Sequence, residues 1–349
     1  MGRPYEEETA FDRFKAAMKQ KSPAGFYVFF GEEAYLRAHW LDRLHKLLVD
    51  SSLEAFNYHR LTQENFSAQA LHDCVEALPM MAERTLVQVD DVDLFKLNDG
   101  EREQVAQTLS DLPEHCTLVL VYETVEFKPD KRMRKLAESL AKAETVEFMR
   151  PTERELVTWI TRHFKSHDKA ISYADCQYLI QLTGGDMTRL VSEIEKVASY
   201  SEAPEISRAD IDAVVEPVLE AVAFELSDAI AGGRYEQALL KLETLLQMQQ
   251  EPVMILGAIG GQMRRISAAK TILRAGKGVR ELMSMYGLSE YPAKKTMEFA
   301  RRLPLPFCDK AVLLCLQTDE RMKSSYDTQE RLLELLVLEL AQEARDAAH

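Results

Sequence analysis

The sequence predicts an α/β domain followed by an all-helical remainder. Two observations carry this. Over the first 150 residues, short apolar runs alternate with helix-length amphipathic segments, and after Pro151 no convincing strand appears. Strands separated by helices of that length imply βαβ units and a mainly parallel sheet covered on both faces.

The elements follow in order. Phe26-Tyr27-Val28-Phe29-Phe30 is an unbroken apolar run that stops at Gly31, the pattern of a buried strand. From Glu32 to Val49, apolar residues at Leu36, Trp40, Leu41, Leu44, Leu47 and Leu48 keep helical spacing. Phe56 to Leu61, Thr85 to Val89, Cys116 to Tyr122 and Thr145 to Phe148 read as further strands. Ala68 to Ala77, Glu101 to Leu109 and Lys131 to Ala141 read as the helices between them. Beyond Pro151, Thr152 and Glu155 have the spacing of a capping box. Gly184-Gly185 ends one helix and Asp186 caps the next, which carries Met187, Leu190, Ile194 and Val197 on one face. Pro252 suits a first helical turn, where its missing N–H costs nothing. Three parts result: an α/β domain at 1–150, a small helical domain at 151–215 and a helical C-terminal domain at 216–349.

No run approaches the roughly 20 apolar residues that span a bilayer, and Met1 to Gln20 lacks the apolar core of a secretory signal. A cytoplasmic protein without membrane contact is expected. The five cysteines (Cys74, Cys116, Cys176, Cys308, Cys315) are scattered and odd in number, so they read as reduced, buried hydrophobes. The net charge of −14 excludes nucleic-acid binding through the overall field. A local basic segment does exist. Gln262 to Arg302 holds ten Lys/Arg, among them Arg264, Arg265, Lys270 and Arg274, against three acids. It is either a solvated helix face or a binding surface.

Nucleotide chemistry finds little support. After the first strand a phosphate-binding loop would need several glycines and a Lys-Ser/Thr pair to wrap phosphates in backbone N–H groups. Here Gly31 stands alone, and Glu32 and Glu33 put negative charge where phosphate would sit. Asp90-Asp91, ending an apolar strand, resembles a Mg²⁺-holding pair, but it reads more simply as two acids beside a loop. His163 and His167 make half of a metal motif with no third ligand, and read as two exposed histidines. No metal, cofactor or catalytic constellation is expected. The segment Leu78-Pro79-Met80-Met81 is the remaining feature. Pro79 breaks a helix, and two flexible, polarizable methionines fall in a short connection. They either tuck beneath the sheet or offer an apolar docking surface.

Four stretches together carry a family resemblance: Phe26 to Leu36, Pro79 to Val87, Thr183 to Lys196, and Asp319-Glu320-Arg321-Met322-Lys323-Ser324. In their order and spacing the chain resembles the delta subunits of the bacterial DNA polymerase III clamp loader. The resemblance implies an AAA+ fold, with a RecA-like parallel-sheet domain, a helical lid and a helical collar that joins a ring of sibling subunits. It implies a degenerate phosphate loop at Gly31, Glu32 and Glu33, no cofactor, and no catalysis by this subunit of the polymerase holoenzyme. It also implies an apolar wedge that opens the sliding clamp, falling on Leu78, Pro79, Met80 and Met81. The family commonly has Leu and Phe at the two methionine positions, so the apolar character is kept and the aromatic ring is lost. Arg189 lies where ATP-binding relatives carry a phosphate-sensing arginine, and is expected to be structural or interfacial. The basic segment with Arg264, Arg265, Lys270 and Arg274, together with Lys323, is expected to meet either primed DNA or sibling subunits. Two rival classes remain open: an active AAA+ ATPase, and a DNA-binding scaffold that never touches a clamp.

Overall fold

A computed structural model describes residues 9–346, which form two compact units divided between Arg150 and Pro151. The first eight residues of the Met1 to Gln20 stretch lie outside the described residues. Unit one runs α1 (Ala10–Gln20), β1 (Phe26–Phe30), α2 (Ala34–Leu48), α3 (Glu54–Asn57), β2 (Tyr58–Leu61), α4 (Ala68–Glu76), β3 (Thr85–Asp90), α5 (Asp99–Ser110), β4 (Cys116–Val121), α6 (Arg134–Leu140) and β5 (Glu144–Glu147). Its five strands pair in the order β2-β3-β4-β1-β5, every pair parallel.

The unbroken apolar runs have a direct cause. In a strand, alternate side chains point to opposite faces, and here both faces are covered. Phe26 and Val28 of β1 join Val87, Val89, Leu118 and Leu120 in one core, closed by Leu71, Val75, Val105, Leu109, Leu136 and Leu140 from α4, α5 and α6. Tyr27 and Phe29 face the other way, with Leu86, Val119, Val121 and Val146, under Phe14, Met18 and Leu44 from α1 and α2. Phe14 is the centre of this second core, with edge-on rings at 5.2 Å (Tyr27), 5.1 Å (Phe29) and 5.6 Å (Trp40). Such pairs add to area burial because the positive ring edge meets the negative face.

One expected strand is shorter than the sequence suggests. Phe56 and Asn57 belong to α3, and β2 begins only at Tyr58. The apolar alternation of Phe56 and Tyr58 imitates a strand, but Phe56 is exposed and Asn57 is drawn inward by a partner distant in sequence.

Unit two runs α7 (Glu153–Ser166), β6 (Ala170–Ile171), α8 (Tyr173–Thr183), α9 (Met187–Tyr200), β7 (Glu205–Ile206), α10 (Arg208–Val214), α11 (Leu219–Ala231), α12 (Tyr235–Gln247), α13 (Pro252–Arg274), α14 (Val279–Tyr286), α15 (Glu290–Arg302), α16 (Leu305–Ser324) and α17 (Gln329–Asp346). The Thr152/Glu155 capping box forms, Gly184 closes α8 in the left-handed region at φ 70°, and Asp186 accepts from the Arg189 N–H to start α9. The expectation of no strand here needs correction: β6 and β7 pair in parallel over two residues each. So short a ladder leaves no periodic trace in a sequence. The boundary expected at 215/216 falls inside this unit. Val218 N–H donates to Leu182 O at 2.8 Å, and Tyr291 N–H donates to the Glu153 carboxylate at 3.2 Å. Helices α11 to α17 share one apolar core around α13, which contributes Ile255, Ile259, Met263, Ile266 and Ile272.

Phe14→Ala should destabilise unit one by about 3–5 kcal/mol, the usual cost of emptying a buried aromatic site. A fall in the urea midpoint at unchanged m value checks this; an unchanged midpoint would place the main core elsewhere.

Candidate functional site

The turn from β1 to α2 has three residues, Gly31, Glu32 and Glu33. Gly31 sits at φ 119°, where a Cβ would lie 2.4 Å from the Phe148 carbonyl oxygen, so only glycine fits. The Glu33 N–H donates to that same carbonyl at 2.9 Å. The Glu33 carboxylate accepts from the Tyr35 N–H at 3.1 Å and so caps α2 itself. Arg37, buried on α2, donates to the Gly31 carbonyl at 2.7 Å and lies 3.5 Å from Glu123. Glu32 faces out towards Arg150.

The two acids after β3 stabilise a loop. Asp90 pairs with Arg60 at 2.6 Å and accepts from Gln88 at 2.7 Å. Asp91, at φ 52°, accepts from the backbone N–H groups of Glu123 (2.6 Å), Thr124 (3.0 Å) and Val125 (3.2 Å) and from the Thr124 hydroxyl (2.9 Å). Partial burial raises its pKa, but these donors outweigh that and hold the carboxyl below its ordinary value of 3.8. The reading of Asp90-Asp91 as loop acids therefore stands. His163 needs a correction. It is half-buried against Trp159 at 3.9 Å between ring centroids, and burial depresses its pKa. His167 is exposed at the end of α7. Among the described residues no cluster of three His, Cys, Asp or Glu could hold a metal.

The Leu78 to Met81 segment lies between α4 and β3, at the amino edge of the sheet. The Gly31 turn is at the carboxyl edge, roughly 16 Å away along five residues of strand. The side chains do not tuck beneath the sheet. Met81 is 90% exposed, Leu78 78% and Met80 46%, with Pro79 half-buried between them. Met81 adopts a left-handed φ of 51°. Sequence reasoning missed two residues here. Asn57, fully buried, donates from Nδ2 to the Met80 carbonyl at 2.9 Å and accepts the Met80 N–H on Oδ1 at 2.7 Å. Its neighbour Phe56 is 54% exposed. An asparagine 23 positions upstream of its partner leaves no local signal. At the far end of the loop, Arg84 donates to the Pro23 carbonyl at 3.1 Å.

The basic segment is less uniform than its composition. Its three acids are all paired, Glu281 with Lys277, Glu290 with Lys294 and Glu298 with Lys295. Lys270 donates to the carbonyls of Ala300 (2.8 Å) and Leu303 (2.6 Å) and closes the end of α15, so its ammonium is not available at the surface. Lys323 pairs with Asp319 at 2.6 Å. Arg265 donates to Gln262 at 3.3 Å, and Arg264 and Arg274 are exposed. Arg189 donates to the Glu216 carbonyl at 2.5 Å, tying α9 to the approach to α11, a structural role.

A parallel five-stranded sheet in this order, followed by a helical unit, is the architecture that the resemblance implies. Comparison with known proteins narrows the class. The family description "DNA polymerase III, delta subunit" matches residues 27–149, and "DNA polymerase III delta subunit, C-terminal domain" matches residues 220–340. The chain is 26% identical to DNA polymerase III subunit delta of Bacillus subtilis over 95% of this chain and 96% of that one. It is 23% identical to the probable subunit delta of Aquifex aeolicus over 96% and 97%. The solved structure of the Bacillus subtilis DNA clamp loader delta protein superposes with a TM-score of 0.61 at 23% identity, covering 96% of this chain and 100% of that one. The chain belongs to the DNA polymerase III delta subunit family.

Asp91→Asn keeps a residue tolerant of positive φ and one acceptor oxygen, but removes the charge and sets an amide NH₂ where Oδ2 accepts from the Thr124 N–H (3.1 Å) and hydroxyl (2.9 Å). It should lower the thermal midpoint at neutral pH. Because the folded pKa is depressed, Asp91 contributes fully above pH 3.8 and loses its contribution as pH falls through the lower folded value. The gap between native and Asp91→Asn chains should therefore close below about pH 3.8, and a gap constant from pH 7 to pH 3 would refute this role for the carboxylate.

Proposed function

We propose that this chain is the clamp-opening subunit of a replicative clamp loader, binding the sliding clamp through Leu78, Pro79, Met80 and Met81. The observation that carries the reading is the exposure of Met81 and Leu78 on a braced loop beside a sheet whose other surfaces are covered. Exposing large apolar side chains to water is unfavourable, and burying both methionines in a partner would contribute about 3–6 kcal/mol gross, before the costs of association. The wedge opens one clamp interface only by its differential affinity for the open and closed states. Sibling ATPase subunits would expose and withdraw it, and load the clamp on primed DNA. The chain itself contributes no ATP chemistry in this reading. Support comes from the Gly31 to Glu33 turn, which lacks a lysine, carries two glutamates and has its Glu33 N–H bonded to the Phe148 carbonyl. A cytoplasmic setting fits, since no helix among the described residues is long and apolar enough to cross a membrane.

The test is binding of the purified chain to its cognate sliding clamp. Met80→Ala with Met81→Ala should weaken binding about a hundredfold, the factor corresponding to about 3 kcal/mol. Undiminished binding by the double variant would move the wedge elsewhere. Absence of native binding to a competent clamp would favour the scaffold alternative.

The helical unit is proposed to face DNA or siblings through Arg264 and Arg274, the exposed members of the basic segment on α13. If DNA is the partner within the assembled loader, Arg264→Ala with Arg274→Ala should flatten the slope of log affinity against log salt by about 2, one unit per lost phosphate contact. Lys270→Ala should instead lower stability, through the uncapped α15. An unchanged slope in the arginine double variant would leave the sibling subunits as their partner.

A further inference from the structure

The clamp-binding reading leaves a physical question about the loop itself. Exposed apolar side chains on a short connection would ordinarily fold back against the protein and hide surface from water. Met81 also holds a backbone conformation that costs a non-glycine residue free energy. A contact elsewhere must hold the segment out.

That contact is Asn57. Its carboxamide presents an acceptor and a donor in one plane, and it meets both the N–H (2.7 Å) and the C=O (2.9 Å) of Met80. A neighbouring strand would satisfy a residue in the same two-bond manner, and here one side chain does it. Asn57 is fully buried at the end of α3, so its amide cannot exchange these bonds for water without a large desolvation cost. The bonds fix the residue immediately before Met81 and so set the direction in which Met81 leaves the loop.

We propose that Asn57 is the positioning residue of the clamp-binding loop, holding Met81 outward before the clamp arrives. This rests on the clamp-binding reading above. A loop already in its bound shape loses less conformational entropy on docking, and the gain appears as affinity. No other side chain of similar size supplies both groups. Aspartate retains the acceptor for the Met80 N–H but sets a carboxylate against the Met80 carbonyl. Alanine offers neither.

The experiment uses the full chain as native protein, Asn57→Ala and Asn57→Asp, with two readouts: affinity for the cognate clamp, and hydrogen exchange at the Met80 amide in the free chain. Asn57→Ala is expected to weaken clamp binding at least tenfold and to accelerate Met80 exchange by a similar factor, while the exchange of β3 and β4 amides stays native. Asn57→Asp keeps one bond but buries a carboxylate against the Met80 carbonyl, so at neutral pH it should perturb both readouts at least as much as Asn57→Ala. A purely structural role would lower protection across the unit and would not produce this local pattern. If Asn57→Ala does not fold, the isosteric Asn57→Asp decides by the same two readouts. Native-like clamp affinity in the folded variants, with the native chain binding, overturns the positioning role and leaves the clamp reading intact. Failure of the native chain to bind a competent clamp overturns both.

Discussion

The two-sided burial of β1 is the constraint on which unit one depends. Phe26 and Val28 are locked into one core and Tyr27 and Phe29 into the other, so the strand cannot slip by one residue without exchanging its faces. Its neighbours inherit that register: Phe26 lies opposite Leu118, and Val28 opposite Thr145. The chain must then leave β1 at Gly31 against the Phe148 backbone, at a distance no side chain would permit. The path of the chain out of β1 and the packing of the sheet are therefore one arrangement, since Gly31 and the Glu33 N–H both lie against the Phe148 carbonyl. Arg37 consolidates it by bonding back to the Gly31 carbonyl from the helix, and Glu33, within the turn, caps that helix at the Tyr35 N–H.

The two edges of the same sheet are treated differently. At the carboxyl edge, polar groups are paired inward: Asp91 gathers three N–H groups of the 123–125 loop, and Asp90 holds Arg60. At the amino edge, the loop before β3 is held by Asn57 at the Met80 backbone and by its own Arg84 at the Pro23 carbonyl, while its apolar side chains stay in water. A stable loop that exposes Leu78 and Met81 is the more informative of the two, because burial is the default for such residues.

In the helical unit, the same contrast separates charges that look alike in composition. Lys270 and Arg189 reach backbone carbonyls and hold helices together, whereas Arg264 and Arg274 end in solvent. All ten basic residues of the segment add equally to a charge count, but they do not all present a field to a partner.

Much of this was legible in the sequence, for identifiable reasons. Buried parallel strands must be apolar at consecutive positions, so β1, β3 and β4 declare themselves. Caps at Thr152, Gly184 and Asp186 are local chemistry, set within four residues of the helix ends they control. The lone Gly31 followed by two glutamates was enough to disfavour a phosphate site. Three features required the tertiary structure. The short β6–β7 ladder and the α3–β2 junction are too brief for periodicity to register. The engagement of Lys270 depends on where α15 ends, 30 residues later. The exposure of Met80 and Met81 depends on Asn57, which sits 23 residues earlier and meets the loop only once the sheet has formed. Sequence determines periodicity and local capping because those forces act between near neighbours; which apolar side chains stay in water is decided by contacts between segments that only the folded chain brings together.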